Sequence, residues 1–153
     1  MRNLLQNGKN NKAMTNILVL CTGNSCRSQI AHGYFEHFTD GRKVKVYSAG
    51  ITTHGVNPRA IETMQADGID ISHHTSNKVD EYEALDFDYV LTVCDNANEH
   101  CPVWVGKSKK FHHDFPDPPK FVGTEAEIIA EFARVRDMVK IYVKNFVETE
   151  KLN

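Results

Sequence analysis

No stretch of this 153-residue chain approaches the roughly 20 consecutive apolar residues needed to cross a bilayer, so the sequence carries no membrane-spanning helix. No complete Walker loop is present either, because Cys101 stands where Gly106-Lys107-Ser108 would need the pattern's first glycine. With no G-x-G-x-x-G as well, nucleotide binding lacks support. Charge of one sign is missing too: 18 Lys and Arg against 20 Asp and Glu leave a formal net charge of −2. That balance offers no bulk attraction to nucleic acid or anionic lipid, so an anion must be captured locally. Met1 to Asn16 holds only Leu4-Leu5 as an apolar pair and lacks the apolar stretch of a secretory signal. The expectation is a cytoplasmic protein with residues 1–15 as a flexible extension and Met14 as an alternative start. Cysteine is scarce. Four cysteines in a cytosolic chain of this size do not suggest a disulfide framework, which leaves packed hydrophobes, metal ligands, or redox and catalytic thiols.

The remaining sequence alternates strand and helix signals, with no repeat or linker. Ile17-Leu18-Val19-Leu20 is a continuous apolar run of the kind found in a buried parallel strand. Ile30, Ala31, Tyr34, Phe35 and Phe38 recur at helical spacing and predict a helix over 28–38. Val44, Val46 and Tyr47 suggest a strand closed by Gly50. Asn57-Pro58 starts a helix that Asp67-Gly68 stops. Phe87 to Val93 reads as a strand leading into Cys94, and a weaker one centres on Phe111. Thr124 and Glu127 have capping-box spacing ahead of Ile128, Phe132, Val135, Val139, Tyr142 and Phe146. The pattern predicts one α/β domain over residues 16–150, a four-stranded parallel sheet covered on both faces and flanked by helices. Ligands in such folds bind at the carboxyl ends of the strands. Cys21 and Cys94 each follow a strand directly, so both belong at that edge.

Cys21-Thr22-Gly23-Asn24-Ser25-Cys26-Arg27-Ser28 sets a thiol before a tight loop and a guanidinium after it, at the start of a helix. Backbone N–H groups there lack intrahelical partners and suit an oxyanion; Arg27 adds a bidentate fork. The same donors stabilise a thiolate, the nucleophilic form of Cys21, and Ser28 offers a hydroxyl. Gly23 and Asn24 tolerate the positive φ that such a loop needs. The plain alternative for Cys21 is a buried core thiol at a strand end.

The segment from Cys21 to Ala31 resembles the catalytic loop of the thioredoxin-coupled arsenate reductases, which are low-molecular-weight protein tyrosine phosphatase-like in fold. The likeness continues through Tyr47-Ser48-Ala49-Gly50, His54 to Pro58, Ile69 to Ser72, Thr92-Val93-Cys94, Cys101-Pro102 and Asp117-Pro118. The resemblance implies that Cys21 attacks arsenate and Cys94 then attacks Cys21, releasing arsenite. Cys101 next attacks Cys94, and thioredoxin, an external reductant, reduces the Cys94–Cys101 disulfide. It also implies an oxyanion site built from residues 22–28 and Asp117 as general acid, where the residue alone also reads as a turn Asp beside Pro. The polar segment Asp95 to His100 suits the movement that thiol exchange requires.

Two other readings compete. A tyrosine phosphatase of the same fold would use Cys21, Arg27 and Asp117 but needs neither Cys94 nor Cys101. Such phosphatases often carry aromatics after the Asp-Pro pair, where this chain has Pro119-Lys120. Cys26 separates neither. A metal-binding thiol module would draw on Cys94, His100, Cys101, His112 and His113, but Cys94-x6-Cys101 lacks the usual short spacing, so no metal ligands are assigned. Some reductases of the resembling family hold potassium on oxygen ligands beside the loop. The matching positions are Asn24, His32, Ser48, Thr75 and Asn77, with His32 and Asn77 standing where potassium-binding members carry carboxylates. The expectation is a weakened or lost potassium site, no bound cofactor, and a monomer that pairs transiently with thioredoxin.

Overall fold

The computed structural model describes residues 14–95 and 100–153. Its elements run β1 (Thr15–Cys21), α1 (Arg27–Phe38), β2 (Val44–Gly50), α2 (Pro58–Ala66), β3 (Tyr89–Thr92), β4 (Lys109–His112) and α3 (Glu125–Thr149). The strands form one parallel sheet in the order β2-β1-β3-β4. β1 begins with Thr15, whose N–H bonds Lys43 O, so ordered pairing starts one residue before the expected boundary. The segment 1–13 and residues 96–99, most of the Asp95–His100 stretch, lie outside the described residues.

β1 is central, and Ile17 to Leu20 are fully buried. Alternation sends Ile17, Val19 and Cys21 into a large core with α1, α2 and α3 side chains, including Ile30, Phe35, Met64, Val139 and Phe146. Leu18 and Leu20 face a smaller cluster with Ala49, Phe87 and Val90, closed by Tyr47, Val79, Tyr82 and Trp104. Both faces of β1 are dry, which explains its unbroken apolar run. Among the described residues the three α-helices all serve the larger core, and the second face is closed by Tyr47 of β2, Trp104 and the short 3-10 helix Val79–Tyr82 rather than by an α-helix. Phe87 and Val93 fall just outside β3, although Phe87 is core and Val93 N–H bonds Leu20 O.

The predicted caps are present. Asn57 accepts from Arg59 N–H at the start of α2, and Thr124 and Glu127 bond reciprocally at the start of α3. Each such cap contributes about 1 kcal/mol. Asp67, just past α2, accepts from Tyr34 Oη of α1 at 2.7 Å and from Lys140 Nζ of α3 at 2.8 Å, which ties the three helices together. No helix among the described residues is long and apolar enough to cross a membrane.

Candidate active site

Cys21 ends β1 opposite Gly50, and Arg27 begins α1, so the intervening loop is clamped at both ends by the sheet and a helix. Its carbonyls are tied outward. Thr22 O accepts from Thr52 N–H, Ser25 O from Asn57 N–H and Cys26 O from Ile30 N–H. Ser76 Oγ reaches the carbonyls of Gly23 and Asn24 at 3.3 and 2.9 Å, and Gln29 Nε2 donates to Asn24 O at 3.1 Å. In a trans peptide the N–H points opposite the C=O, so successive outward carbonyls turn the following amides toward the concave side of the loop. That is a nest for an anion.

Asn24 holds the bend. It has φ 47°, is fully buried, donates to Ser28 Oγ at 2.9 Å and accepts from Asn77 N–H at 2.8 Å. Gly23 does not adopt positive φ, contrary to the sequence expectation. Its lack of a side chain serves packing instead: a Cβ there would lie 2.6 Å from His54 Cδ2.

Charge is concentrated above the loop. Arg27 is 2% exposed, donates from Nη1 to Phe115 O at 3.3 Å, and places Nη2 3.5 Å from Asp117 Oδ2. A guanidinium this buried requires such partners. Lys120 Nζ lies 4.0 Å from the same Asp117 oxygen. A cavity of about 390 Å³ is lined by Cys21, Ser25, Arg27 and Asp117, together with His54, His100 and Lys120, to which the sequence reading assigned no part in anion capture. Lys120 carried no periodic or motif signal, and His54 stood out only as the first residue of a stretch shared with the resembling family; each reaches the cavity through loop geometry. Burial pushes the Cys26 thiol up, Asp117 adding to it, so this second cysteine of the loop stays protonated. The arrangement can bind a tetrahedral oxyanion against Cys21 and deliver a proton from Asp117.

Cys94 lies two residues past β3 at the same sheet edge as Cys21, and both belong to the larger core cluster. Cys94 and Cys101 are joined by a disulfide with Cα atoms 5.9 Å apart, while Cys21 and Cys26 are free. In this disulfide form neither sulfur is a thiolate for the metal-binding module considered above. His113 packs on Phe115 and Tyr142, and His112 bonds Thr92 Oγ1 and Asp114 on the wall of a cavity that Cys101 also lines. At the positions of the potassium comparison, His32 Nδ1 lies 2.8 Å from Ser48 Oγ, and Thr75 Oγ1 donates to Asn77 Oδ1 at 2.7 Å.

Gly50 brings the sheet backbone close against the loop. A Cβ would sit 2.7 Å from Thr22 O and 2.8 Å from both Asn24 N and Thr52 O, all backbone atoms. Gly50→Ala therefore has to displace the anion loop. Misplacement of that kind is expected to lower turnover on the order of 100-fold, with a stability loss of about 1–3 kcal/mol. Phosphate-binding calorimetry and a urea melt of the variant check this; unchanged phosphate affinity would contradict it.

The sequence model of the low molecular weight phosphotyrosine protein phosphatase family matches residues 16–153. An arsenate reductase of Bacillus subtilis is 46% identical over 135 residues, covering 88% of this chain and 96% of that protein. Among solved structures, an arsenate reductase in the phosphate binding state has TM-score 0.73 and 33% identity, covering 92% of this chain and all of its own. An arsenate reductase in the oxidized state has TM-score 0.74 and 30% identity, covering 89% of this chain and 98% of its own.

Proposed function

This chain belongs to the low molecular weight phosphotyrosine protein phosphatase family, and from that premise we propose that it reduces arsenate to arsenite through a relay of Cys21, Cys94 and Cys101. The observation that carries the reading is the Cys94–Cys101 disulfide at the sheet edge that also bears Cys21 and the anion loop. A phosphate hydrolase has no use for that pair.

In this reading arsenate sits on the amides of residues 22–28 and the Arg27 fork. The Cys21 thiolate attacks arsenic and forms a sulfur–arsenic bond, while Asp117 protonates the oxygen that leaves as water. Cys94 attacks the sulfur of Cys21. A sulfur–sulfur bond forms, the sulfur–arsenic bond breaks, and its electron pair reduces As(V) to As(III), released as arsenite. Cys101 then attacks Cys94 and frees Cys21 as a thiolate. Two thiols have been oxidised by two electrons, and one arsenate has accepted them.

The resulting disulfide needs a dithiol reductant, and thioredoxin in the cytoplasm is the proposed partner. Val103 and Val105, 83% and 91% exposed, follow Cys101-Pro102 and offer apolar surface beside the disulfide. The direct test is arsenate-dependent NADPH oxidation by the protein with thioredoxin and thioredoxin reductase. No oxidation above the rate without the protein would overturn the reading. Slow hydrolysis of aryl phosphate is expected as well, since Cys21, Arg27 and Asp117 suffice for it.

Potassium is not expected to matter. Replacing two carboxylates by His32 and Asn77 removes the charge that a hard, oxygen-seeking cation requires. Turnover in potassium and in a large organic cation at equal ionic strength should agree within about twofold; several-fold activation by potassium would contradict this.

A further inference from the structure

Behind the anion loop lies a second constellation that the relay does not use. His32 and Glu36 are one turn apart on α1, and His74 arrives from the turn following Ile71. One ligand atom from each of the three lies within 4.8 Å of the others. The two imidazole rings are 4.3 Å apart at 36°. His74 Nε2 is 3.0 Å from Glu36 Oε1, and His32 Nε2 is 3.6 Å from Glu36 Oε2.

The outer hydrogen bonds determine what these nitrogens can be. Gln29 Nε2 faces two backbone carbonyls, Asn24 O at 3.1 Å and Thr75 O at 3.0 Å, which only accept. Its amide oxygen is therefore the end turned to His74 Nδ1, 3.0 Å away, and Nδ1 must carry the proton. A neutral His74 then directs the lone pair of Nε2 at a carboxylate. His32 also sets Nε2 toward the same carboxylate, with Nδ1 on Ser48 Oγ, a hydroxyl that can accept from it or donate to it. Protonating His74 would relieve that clash by placing an imidazolium against the His32 ring and edge-on to His73. A cation shared by both Nε2 atoms and the carboxylate removes that conflict and leaves both rings neutral.

We propose that His32 Nε2, His74 Nε2 and the Glu36 carboxylate form a binding site for a zinc-class divalent transition-metal ion. Two imidazoles and one carboxylate suit that class, and not the oxygen-seeking alkali or alkaline-earth ions. Each ring already has an oxygen on its other nitrogen, the outer support that metal-binding histidines require. His74 is 4% exposed and Glu36 is 47% exposed, so the protein closes one side of the ion and solvent completes the other. Gln29 joins the site to Asn24 O, and the ion thereby braces the outer wall of the anion loop.

The test is zinc titration by calorimetry on the full-length Cys21→Ser protein with its Cys94–Cys101 disulfide intact, which leaves only the buried Cys26 as a thiol. One equivalent should bind. Glu36→Gln and His74→Gln should each weaken it by at least about tenfold, and His73→Gln should not. Cobalt in place of zinc should give visible d–d bands without thiolate charge-transfer bands. Glu36 is half-exposed, so its variant keeps the test intact even where His74→Gln does not fold. Absence of stoichiometric zinc binding, or equal affinity in the Glu36→Gln protein, overturns the proposal, and neither result bears on the thiol relay.

Discussion

A Cys21→Ser protein is expected to fold, to bind arsenate, and to lose arsenate reduction and aryl phosphate hydrolysis together, by a factor of about 10⁴ or more. The reason is chemical. A serine hydroxyl stays protonated in a site that favours a thiolate, and oxygen cannot enter the disulfide exchange that follows. The fold should tolerate the change, because the loop is held by bonds from Thr52, Asn57, Ser76 and Gln29 rather than by the sulfur. Near-native thermal stability with measurable phosphate binding, alongside absent turnover, is the expected combination. Substantial reductase activity in the folded variant would remove Cys21 as the nucleophile.

Separating the other two cysteines should stop the relay at different points. Cys101→Ser is expected to release about one equivalent of arsenite and then stall with Cys21 linked to Cys94, since no third thiol is available. Cys94→Ser is expected to release far less than one equivalent, because nothing else is placed to attack the arsenylated sulfur. Steady-state turnover should fall at least about 100-fold in both. Aryl phosphate hydrolysis needs neither residue and should persist in both variants when they are assayed reduced. Rapid-quench measurement of arsenite, with the oxidation state of arsenic resolved, distinguishes the two.

The sequence reading was strongest where burial and periodicity coincide. Ile17 to Leu20 announced β1 because both sheet faces are dry, and the caps at Asn57 and Thr124 marked helix starts through side-chain chemistry alone. Arg27 and Cys21 were legible because a thiol and a guanidinium bracket a loop between a strand and a helix. The outer wall of that loop was not legible. Ser76 and Thr52 are ordinary polar loop residues, and only the tertiary fold brings them to Asn24 and its neighbours, whereas Asn77 is paired with Asn24 in the sequence through the family resemblance alone. Gly23 was read as a residue of unusual φ when its role is clearance for His54, a contact about thirty residues away that local pattern does not encode. His32 and His74 meet for the same reason: β2, α2 and the following turn fold His74 back over α1. What covers the second sheet face was not legible, because Tyr47, Tyr82, Phe87 and Trp104 form that cover without helical spacing.

The most direct measurement is non-reducing peptide mapping by mass spectrometry of the fully reduced protein, before and after one equivalent of arsenate with no other oxidant or reductant. The account predicts that arsenate converts the free thiols to a Cys94–Cys101 linkage with Cys21 free, matched by an equal amount of arsenite. Finding no arsenate-dependent linkage among Cys21, Cys94 and Cys101 would contradict it and leave a phosphatase.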